Sequence, residues 1–328
     1  MAEVNLVSAV KETLHDAMAT DERVVILGED VGVRGGVFRI TDGFLQEFGE
    51  RRVIDTPLAE SGIVGVAIGM ALHGLLPVAE IQFADFIHPA FDQIVSEAAR
   101  IRYRSNGEFS VPLVIRTPYG GGVHGALYHS QSIEATYAHV PGLKVVLPST
   151  PADAAGLLRS AIKDPDPVLF LEHKRTYRLI KGEVPAEPHD VPIGVADVKR
   201  QGRDLTVIAY GLMTHASLEA AELLQEREGA SAEVVDARTL APLDRSTILA
   251  SVRKTGKAMV VYEDNRSYGA GAEIVATIAE ELLFDLDGPL LRVAGPDSPA
   301  MPFSTALEHA FMPDAERVYA AMRELAAF

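Results

Sequence analysis

Short apolar runs rich in β-branched residues recur along the first half of the chain and predict buried strands. A run of about four to eight apolar residues is typical of a strand covered on both faces. Most of these runs are separated by helical patterns, with apolar residues three or four apart. The predicted strands are 24–30, 52–60, 76–83, 112–118, 144–150 and 167–173, and the predicted helices are 6–19, 62–73, 88–103 and 151–163. This alternation predicts an α/β domain with a doubly wound, mainly parallel sheet.

The periodic pattern stops between 176 and 203, where three prolines and mixed charges interrupt it. Beyond this segment a second α/β pattern begins. Its predicted strands are 204–211, 232–238, 257–263 and 290–295, with helices ending near 228 and 254 and further helices at 271–286 and 314–326. We therefore predict a first α/β domain over 1–185, a linker over 186–203 and a second α/β domain over 204–328.

Composition excludes several classes of function. The net charge is −16, and such a field repels nucleic acid and anionic membrane surfaces. Cysteine is absent, which excludes disulfides, thiolate metal sites and cysteine nucleophiles, and which favours a reducing, cytoplasmic location. The N-terminus has no signal-peptide pattern, and the longest apolar stretch, 62–79, is interrupted by His73, Gly74 and Pro77. No membrane partner is expected.

The common nucleotide-binding, zinc-hydrolase and serine-hydrolase motifs are also missing from the sequence. What remains is a set of polar residues at the carboxyl ends of predicted strands, where open α/β sheets bind ligands. Glu60 is the first, because it follows a predicted strand and begins a helix rich in small residues. The alternative is structural, since an acid in the first turn of a helix stabilises the helix dipole.

Two further segments carry candidate chemistry. In EIQFADF (80–86), Gln82 and Phe86 have the same parity and would face one pocket if the strand continued, and the alternative is a core strand that ends in a turn. In RTPYGGGVHGALYHSQS (116–132), a glycine-rich loop carries His124 and His129, and the alternative is a tight turn with structural histidines. The two histidines are five residues apart, which is a poor spacing for a metal site on a helix.

The order of these motifs resembles the beta subunit of the decarboxylating component of 2-oxo acid dehydrogenase complexes, in the transketolase-like superfamily. The resemblance extends over nearly the whole chain. Its most specific stretches are DTPLAESGIVGVAIGMALHG (55–74), EIQFADFIHPAFDQI (80–94), GGGVHGALYHSQS (120–132), LKVVLPSTPADAAGLL (143–158), DPVLFLEHKRTYR (166–178) and AEVVDARTLAPLD (232–244).

The resemblance implies that the first domain binds the aminopyrimidine ring of thiamine diphosphate. Glu60 occupies the position of the acid that donates to ring nitrogen N1′, so we expect burial to raise its pKa and keep it protonated. Gln82 and Phe86 match residues that line the pyrimidine pocket, and many relatives have Tyr where Phe86 stands. His129 matches a histidine used near the acyl transfer to the lipoyl group.

The superfamily holds the diphosphate through Mg²⁺ and a GDG…N motif, which this chain lacks. The resemblance therefore implies a separate alpha subunit that holds both, in an α2β2 heterotetramer with the cofactor at the interface. Gly65 and Gly69 would allow helices of different subunits to pack closely. Relatives also bind potassium at positions that correspond here to Ala161, Asp164 and Asp166.

The implied function is oxidative decarboxylation of a branched-chain 2-oxo acid, such as 2-oxoisovalerate, with reductive acylation of lipoyl groups on the acyltransferase core. Pyruvate and acetoin are alternative substrates for the same chemistry. A non-catalytic scaffold subunit is the alternative from a different class. The second domain resembles the transketolase C-terminal domain, whose family roles are dimer contact and docking to the acyltransferase core.

Overall fold

The computed structural model describes residues 2–328, and the chain forms two compact units. The first unit comprises the residues up to Tyr119 together with Thr136–Ile193. The second comprises Gly120–Ala135 and Gly194–Phe328. The boundary at 193/194 falls inside the predicted linker 186–203, and the glycine-rich segment 120–135 folds with the second unit.

The first unit is built on parallel strands, as the sequence predicts. Strands β2 to β7 run parallel in the spatial order β6-β7-β5-β4-β2-β3, and β1 pairs antiparallel with β8. The strands are β1 (Ala2–Asn5), β2 (Val24–Gly28), β3 (Val53–Asp55), β4 (Leu76–Glu80), β5 (Val114–Tyr119), β6 (Lys144–Val146), β7 (Val168–His173) and β8 (Lys181–Val184). The α-helices are α1 (Leu6–Thr20), α2 (Phe44–Phe48), α3 (Glu60–Leu72), α4 (Ile101–Arg104), α5 (Glu134–Ala138), α6 (Pro151–Lys163) and α7 (Thr176–Leu179).

Local capping explains where the two long helices α1 and α6 begin. The side chain of Asn5 accepts from Ser8 N at 2.8 Å and caps α1. Thr150 accepts from Asp153 N at 3.2 Å and caps α6, with proline in its first turn. The apolar faces of α1 and α6 are buried in one core with strands β2, β4 and β7. This core supports the edge of the sheet where the candidate residues lie.

The single helix predicted over 88–103 is wrong. The chain instead forms 3₁₀ turns at Ala84–Phe86 and His88–Ala90, a π-helical segment at Gln93–Ala98 and then α4. Pro89 lies in the first turn of the predicted helix, where proline is tolerated, so the regular pattern is broken by the π-helical segment that follows. A π-helical turn is wider than an α-helical turn, so the residues after it no longer follow the 3.6-residue repeat on which the prediction was based.

The second unit has a five-stranded sheet with the order β14-β13-β10-β11-β9, in which only β9 runs antiparallel to its neighbour. Its strands are β9 (Asp197–Arg200), β10 (Leu205–Ala209), β11 (Ala232–Asp236), β13 (Ala258–Asn265) and β14 (Leu291–Gly295), and a short strand β12 (Thr239–Ala241) lies between β11 and β13 in the chain. The helices are α8 (Leu212–Glu228), α9 (Arg245–Thr255), α10 (Ala270–Leu282), α11 (Thr305–Phe311) and α12 (Ala315–Ala326). The predicted pair of α/β folds is confirmed.

Helix α3 is apolar on every side, yet it is too short for a membrane span. Among the described residues, no helix is both long enough and apolar enough to cross a bilayer.

Candidate active site

The strand order places several polar residues at one switch point of the first sheet. Strand β2 lies between β3 and β4 in the sheet. The next strand in the chain, β3, is placed on one side of β2, and the strand after that, β4, is placed on the opposite side, so the strand order reverses at β2. In open α/β sheets, ligands bind where the strand order reverses, beyond the carboxyl ends of the strands. Glu29 and Asp30 follow β2, and Gln82 follows β4. The Gln82 amide donates to the Asp30 carboxylate at 3.4 Å, which ties these two strand ends together.

Glu60 lies at the same edge as the first residue of α3. Its neighbour Ala59 is the N-cap and offers no side-chain oxygen to the helix. Glu60 is only 8% exposed, and no group within residues 2–328 donates a hydrogen bond to its carboxyl. A buried carboxyl at a helix N-terminus without a protein partner is able to bind an external donor or acceptor.

Glu29 is a further candidate site residue, which the sequence alone did not single out. Burial raises the pKa of the Glu29 carboxyl, and the nearby charges of Glu60 and then Asp30 raise it further. The signal was present in ILGED (26–30), where two acids follow an apolar run. The strand predicted over 24–30 includes both acids, whereas β2 ends at Gly28.

The predicted strand 76–83 ends too early to place Gln82 and Phe86 on one face of the sheet. Strand β4 ends at Glu80, and Phe86 lies in the 3₁₀ turn that follows. The strand-parity argument is therefore wrong, and the alternative of a strand ending in a turn is correct. The turn stacks Phe86 edge-on against Phe83, with ring centroids 5.9 Å apart. Both Gln82 and Phe86 remain partly exposed beside the switch point.

An apolar groove of about 200 Å³ adjoins the start of α3. Its walls come from β2, β3 and α3 and include Leu27, Pro57 and Val66. The Oγ1 atom of Thr56, which also lines the groove, is buried without a hydrogen-bond partner among the described residues. The groove is therefore apolar except for the Thr56 hydroxyl, which has no hydrogen-bond partner among the described residues and lies four residues before Glu60 in the chain.

A buried charge network lies behind these strand ends. Arg116 on β5 is 2% exposed and donates to Glu172 at 2.7 and 2.9 Å and to Glu80 at 2.9 Å. The Tyr177 hydroxyl donates to Glu172 at 2.7 Å. Burial raises the pKa of the Glu80 carboxyl even though the Arg116 charge opposes that shift. Because Glu80 is the last residue of β4, this network holds in place the end of the strand that precedes Gln82.

His129 lies in the second unit, at the end of a 3₁₀ turn formed by Ala126–Tyr128. The loop before this turn is held by carboxylates of the same unit. Glu263 accepts from Gly121 N at 2.5 Å, and Glu308 accepts from Gly122 N at 2.9 Å. Sequence analysis singled out the histidines but missed these carboxylates, which are more than 130 residues away in the chain.

The residues implied for potassium have other partners. The Lys144 ammonium lies 2.5 and 2.6 Å from the two oxygens of the Asp164 carboxylate. Asp166 forms an ion pair with Arg102, and the Ala161 carbonyl accepts from Asp164 N at 3.3 Å. Both carboxylates are thus already neutralised by protein cations. Across residues 2–328, no group of three or more His, Cys, Asp or Glu side chains is arranged to hold a metal ion.

Two α/β units, with a buried acid at the switch point of the first sheet, define a protein of the transketolase-like class. The family model for the transketolase pyrimidine-binding domain matches residues 2–180, and the model for the transketolase C-terminal domain matches 194–318. A solved structure described as a split-gene transketolase, inactive beta4 tetramer, superposes with a TM-score of 0.80 at 25% identity over 99% of this chain and 98% of that one.

Relatives with higher sequence identity show which family of the transketolase-like class this chain belongs to. The chain is 58% identical to the 2-oxoisovalerate dehydrogenase subunit beta of Bacillus subtilis (strain 168), over all of both chains. It is 50% identical to the pyruvate dehydrogenase E1 component subunit beta of the same organism, again over the full length of both. This chain belongs to the family of beta subunits of 2-oxo acid dehydrogenases, as its motifs predicted.

Proposed function

We propose that this chain is the beta subunit of a dehydrogenase that oxidatively decarboxylates a branched-chain 2-oxo acid of the 2-oxoisovalerate type and acylates lipoyl groups on an acyltransferase. The observation that carries the proposal is the Glu60 carboxyl, which is buried at the switch point without a protein donor. The higher identity to the 2-oxoisovalerate relative than to the pyruvate relative, 58% against 50%, supports the choice of substrate.

The cofactor proposed for this site is thiamine diphosphate, which when bound supplies an electron sink for cleavage of the bond to the carboxylate. The Glu60 carboxyl would hold its pyrimidine nitrogen N1′, with Gln82 and Phe86 beside it. Donation to that nitrogen requires a protonated carboxyl. Burial raises the pKa of the neighbouring Glu29 carboxyl, and the Glu60 charge raises it further, so the two carboxyls interact at this edge.

His129 is proposed to move a proton during acyl transfer to the lipoyl group. An imidazole changes its protonation state near neutral pH and can both accept and release a proton. His129 is partly exposed at the end of its turn, so a lipoyl group arriving from solvent could reach it.

A separate alpha subunit is proposed to hold the diphosphate and Mg²⁺, in an α2β2 heterotetramer. Helix α3 supports a subunit contact, because an apolar helix normally has no face in water. Here Gly62, Gly65 and Gly69 are exposed, as are Val66 at 54% and Leu72 at 41%. We propose that the alpha subunit packs on this face. Asp164 and Asp166 are already paired with Lys144 and Arg102, so potassium has no role in this proposal.

Replacing Glu60 by Gln tests the catalytic proposal in the complex with the alpha subunit. The Gln amide has nearly the same size but cannot hold the acidic proton, so we expect decarboxylation to fall by about a hundredfold or more while assembly is retained. Glu22→Gln is the matched control, because Glu22 is exposed in the same unit. Full activity of the Glu60→Gln complex would instead support a scaffold subunit.

Substrate choice is tested by assaying the assembled complex with 2-oxoisovalerate, pyruvate and acetoin. We expect the highest kcat/KM with 2-oxoisovalerate. Pyruvate is kept as a second candidate because a pyruvate dehydrogenase subunit is 50% identical over its full length. Equal inactivity toward all three compounds would refute the proposed function.

A further inference from the structure

The glycine-rich loop that leads to His129 has a strained backbone. His124 and Ala126 have φ angles of 56° and 51°, in the left-handed region that residues with a Cβ rarely adopt. Gly120 and Gly122 also have positive φ, at 82° and 79°. Such a loop keeps one conformation only when its surroundings impose it.

Glu308 on helix α11 supplies that constraint. Its Oε1 atom accepts from Gly122 N at 2.9 Å and from His124 N at 3.2 Å, and its Oε2 atom lies 2.6 Å from the His124 Nδ1 atom. Glu308 is fully buried, whereas the His124 side chain is 47% exposed. The two backbone N–H groups bind a carboxylate for which no water competes, and this strengthens both hydrogen bonds. The imidazole therefore lies between the buried Glu308 carboxylate and solvent.

The start of the same loop is fixed by packing and by a second carboxylate. A Cβ on Gly121 would lie 2.5 Å from the end of the Met301 side chain, so the backbone is packed closely against it. Gly121 N donates to Glu263, as described above. The loop is therefore fixed at 121, 122 and 124.

The constraint extends from His124 to His129 through Gly125. A Cβ on Gly125 would lie 2.7 Å from both the Cβ and the carbonyl oxygen of His129, so these two parts of the loop are in direct contact. Only the short turn Ala126–Tyr128 separates them. A displacement of His124 would therefore move His129.

We propose that Glu308 and His124 are positioning residues, which act together to hold the loop in the conformation that presents His129 to the lipoyl substrate. The role given to His129 rests on the proposed function, whereas the anchoring of the loop does not. In this arrangement His124 contacts the anchor and not the reacting atoms. The reaction chemistry is left to His129.

The anchor is tested on the full chain by limited proteolysis with chymotrypsin, which cleaves after Tyr128, a side chain 62% exposed on this loop. His124→Ala removes the imidazole that lies against Glu308, so we expect cleavage after Tyr128 to accelerate about tenfold. His309→Ala is the matched control, because His309 is exposed on α11 directly beside Glu308. Equal cleavage rates for His124→Ala and His309→Ala would overturn the anchor.

A conservative variant separates the anchor from the imidazole itself. Asn tolerates positive φ and carries an amide donor, so His124→Asn should restore much of the protection against cleavage. Glu308→Gln keeps an acceptor for the two backbone N–H groups but loses the charge, and we expect intermediate cleavage. If His124→Asn is cleaved as fast as His124→Ala, pairing with Glu308 does not hold the loop.

Positioning of His129 is tested in the complex with the alpha subunit by two activities. We expect His124→Ala to slow reductive acylation of the lipoyl substrate about tenfold and to leave decarboxylation with ferricyanide as electron acceptor nearly unchanged. Unchanged acylation together with faster cleavage would overturn the positioning role. If the parent complex decarboxylates no 2-oxo acid, the proposed function fails, while the cleavage rates still decide the anchor.

Discussion

Buried charge is the main feature of the first unit at the scale of single residues. Arg116 satisfies two carboxylates in a site closed to water, and Glu60 has no such cation beside it. The charge of a buried carboxylate beside a cation is compensated within the protein, whereas a carboxyl without a cation partner is available to bind a ligand. This contrast between neighbouring strand ends distinguishes the structural acids, Glu80 and Glu172, from the proposed catalytic acid.

Replacing Arg116 by Met should destabilise the first unit strongly. The substitution keeps most of the side-chain volume but leaves Glu80 and Glu172 buried without a counterion, which costs about 3–5 kcal/mol. Urea denaturation of the full chain measures the loss. Arg23→Met is the control, because Arg23 pairs with Asp21 at the surface, where such pairs contribute about 1 kcal/mol or less. Similar losses in both variants would contradict the role of the buried network.

Asp264 in the second unit is predicted to make stability depend on pH. Burial and then the Glu263 charge raise its pKa to about 6, from an ordinary value of 3.8. Between these values the folded chain binds more protons than the unfolded chain, so the contribution of Asp264 to stability falls as pH rises from 3.8 to 6. Asp264→Asn removes this loss and should stabilise the chain by about 1 kcal/mol at neutral pH, with a smaller gain at pH 5.

The measurement for Asp264 is urea denaturation at both pH values. Asp285→Asn serves as the control, because Asp285 is exposed in the same unit and its removal should change stability little at either pH. An identical gain for Asp264→Asn at pH 5 and at neutral pH would show that the raised pKa is not the cause.

At the scale of elements, α3 carries both the proposed catalytic acid and an exposed apolar face. Its first residue is Glu60, and its exposed side consists of small and apolar residues along the whole length of the helix. A subunit that packs on this face would fix the helix that carries the carboxyl. Assembly and the geometry of the active site would then depend on one element.

Gly69→Leu should separate folding from assembly. No atom lies within 4 Å of a Cβ built on Gly69, so a side chain fits there in the isolated chain. Replacing a helical glycine should also stabilise the helix by up to about 1 kcal/mol. We expect a folded chain by circular dichroism that no longer assembles with the alpha subunit in size-exclusion chromatography. Glu226→Leu, on the exposed side of α8, is the control and should assemble normally.

At the scale of the whole molecule, the net charge and the missing motif support the proposed division of the cofactor between two chains. The net charge of −16 opposes binding of a diphosphate, and the GDG…N motif that would hold its Mg²⁺ is absent. The first unit nevertheless offers a carboxyl, an amide and an aromatic ring at one edge. This combination suits the neutral end of the cofactor and leaves its anionic end to a partner.

Calorimetric titration with thiamine diphosphate and Mg²⁺ tests this division. The chain alone should show no measurable binding, and the complex with the alpha subunit should bind tightly. Glu60→Gln should weaken binding to the complex by about tenfold at most, since it removes one hydrogen bond among several. Tight binding by this chain alone would refute the division.

The sequence by itself determined the two α/β patterns, the main strands and the motifs that identify the family, because apolar periodicity and local capping depend on near neighbours. It also singled out Glu60 and His129. Only the tertiary structure decided where β4 ends, that Glu29 lies beside Glu60, and that Glu308 holds the loop before His129. These facts depend on contacts between residues far apart in the chain, on burial and on backbone strain, none of which leaves a periodic pattern.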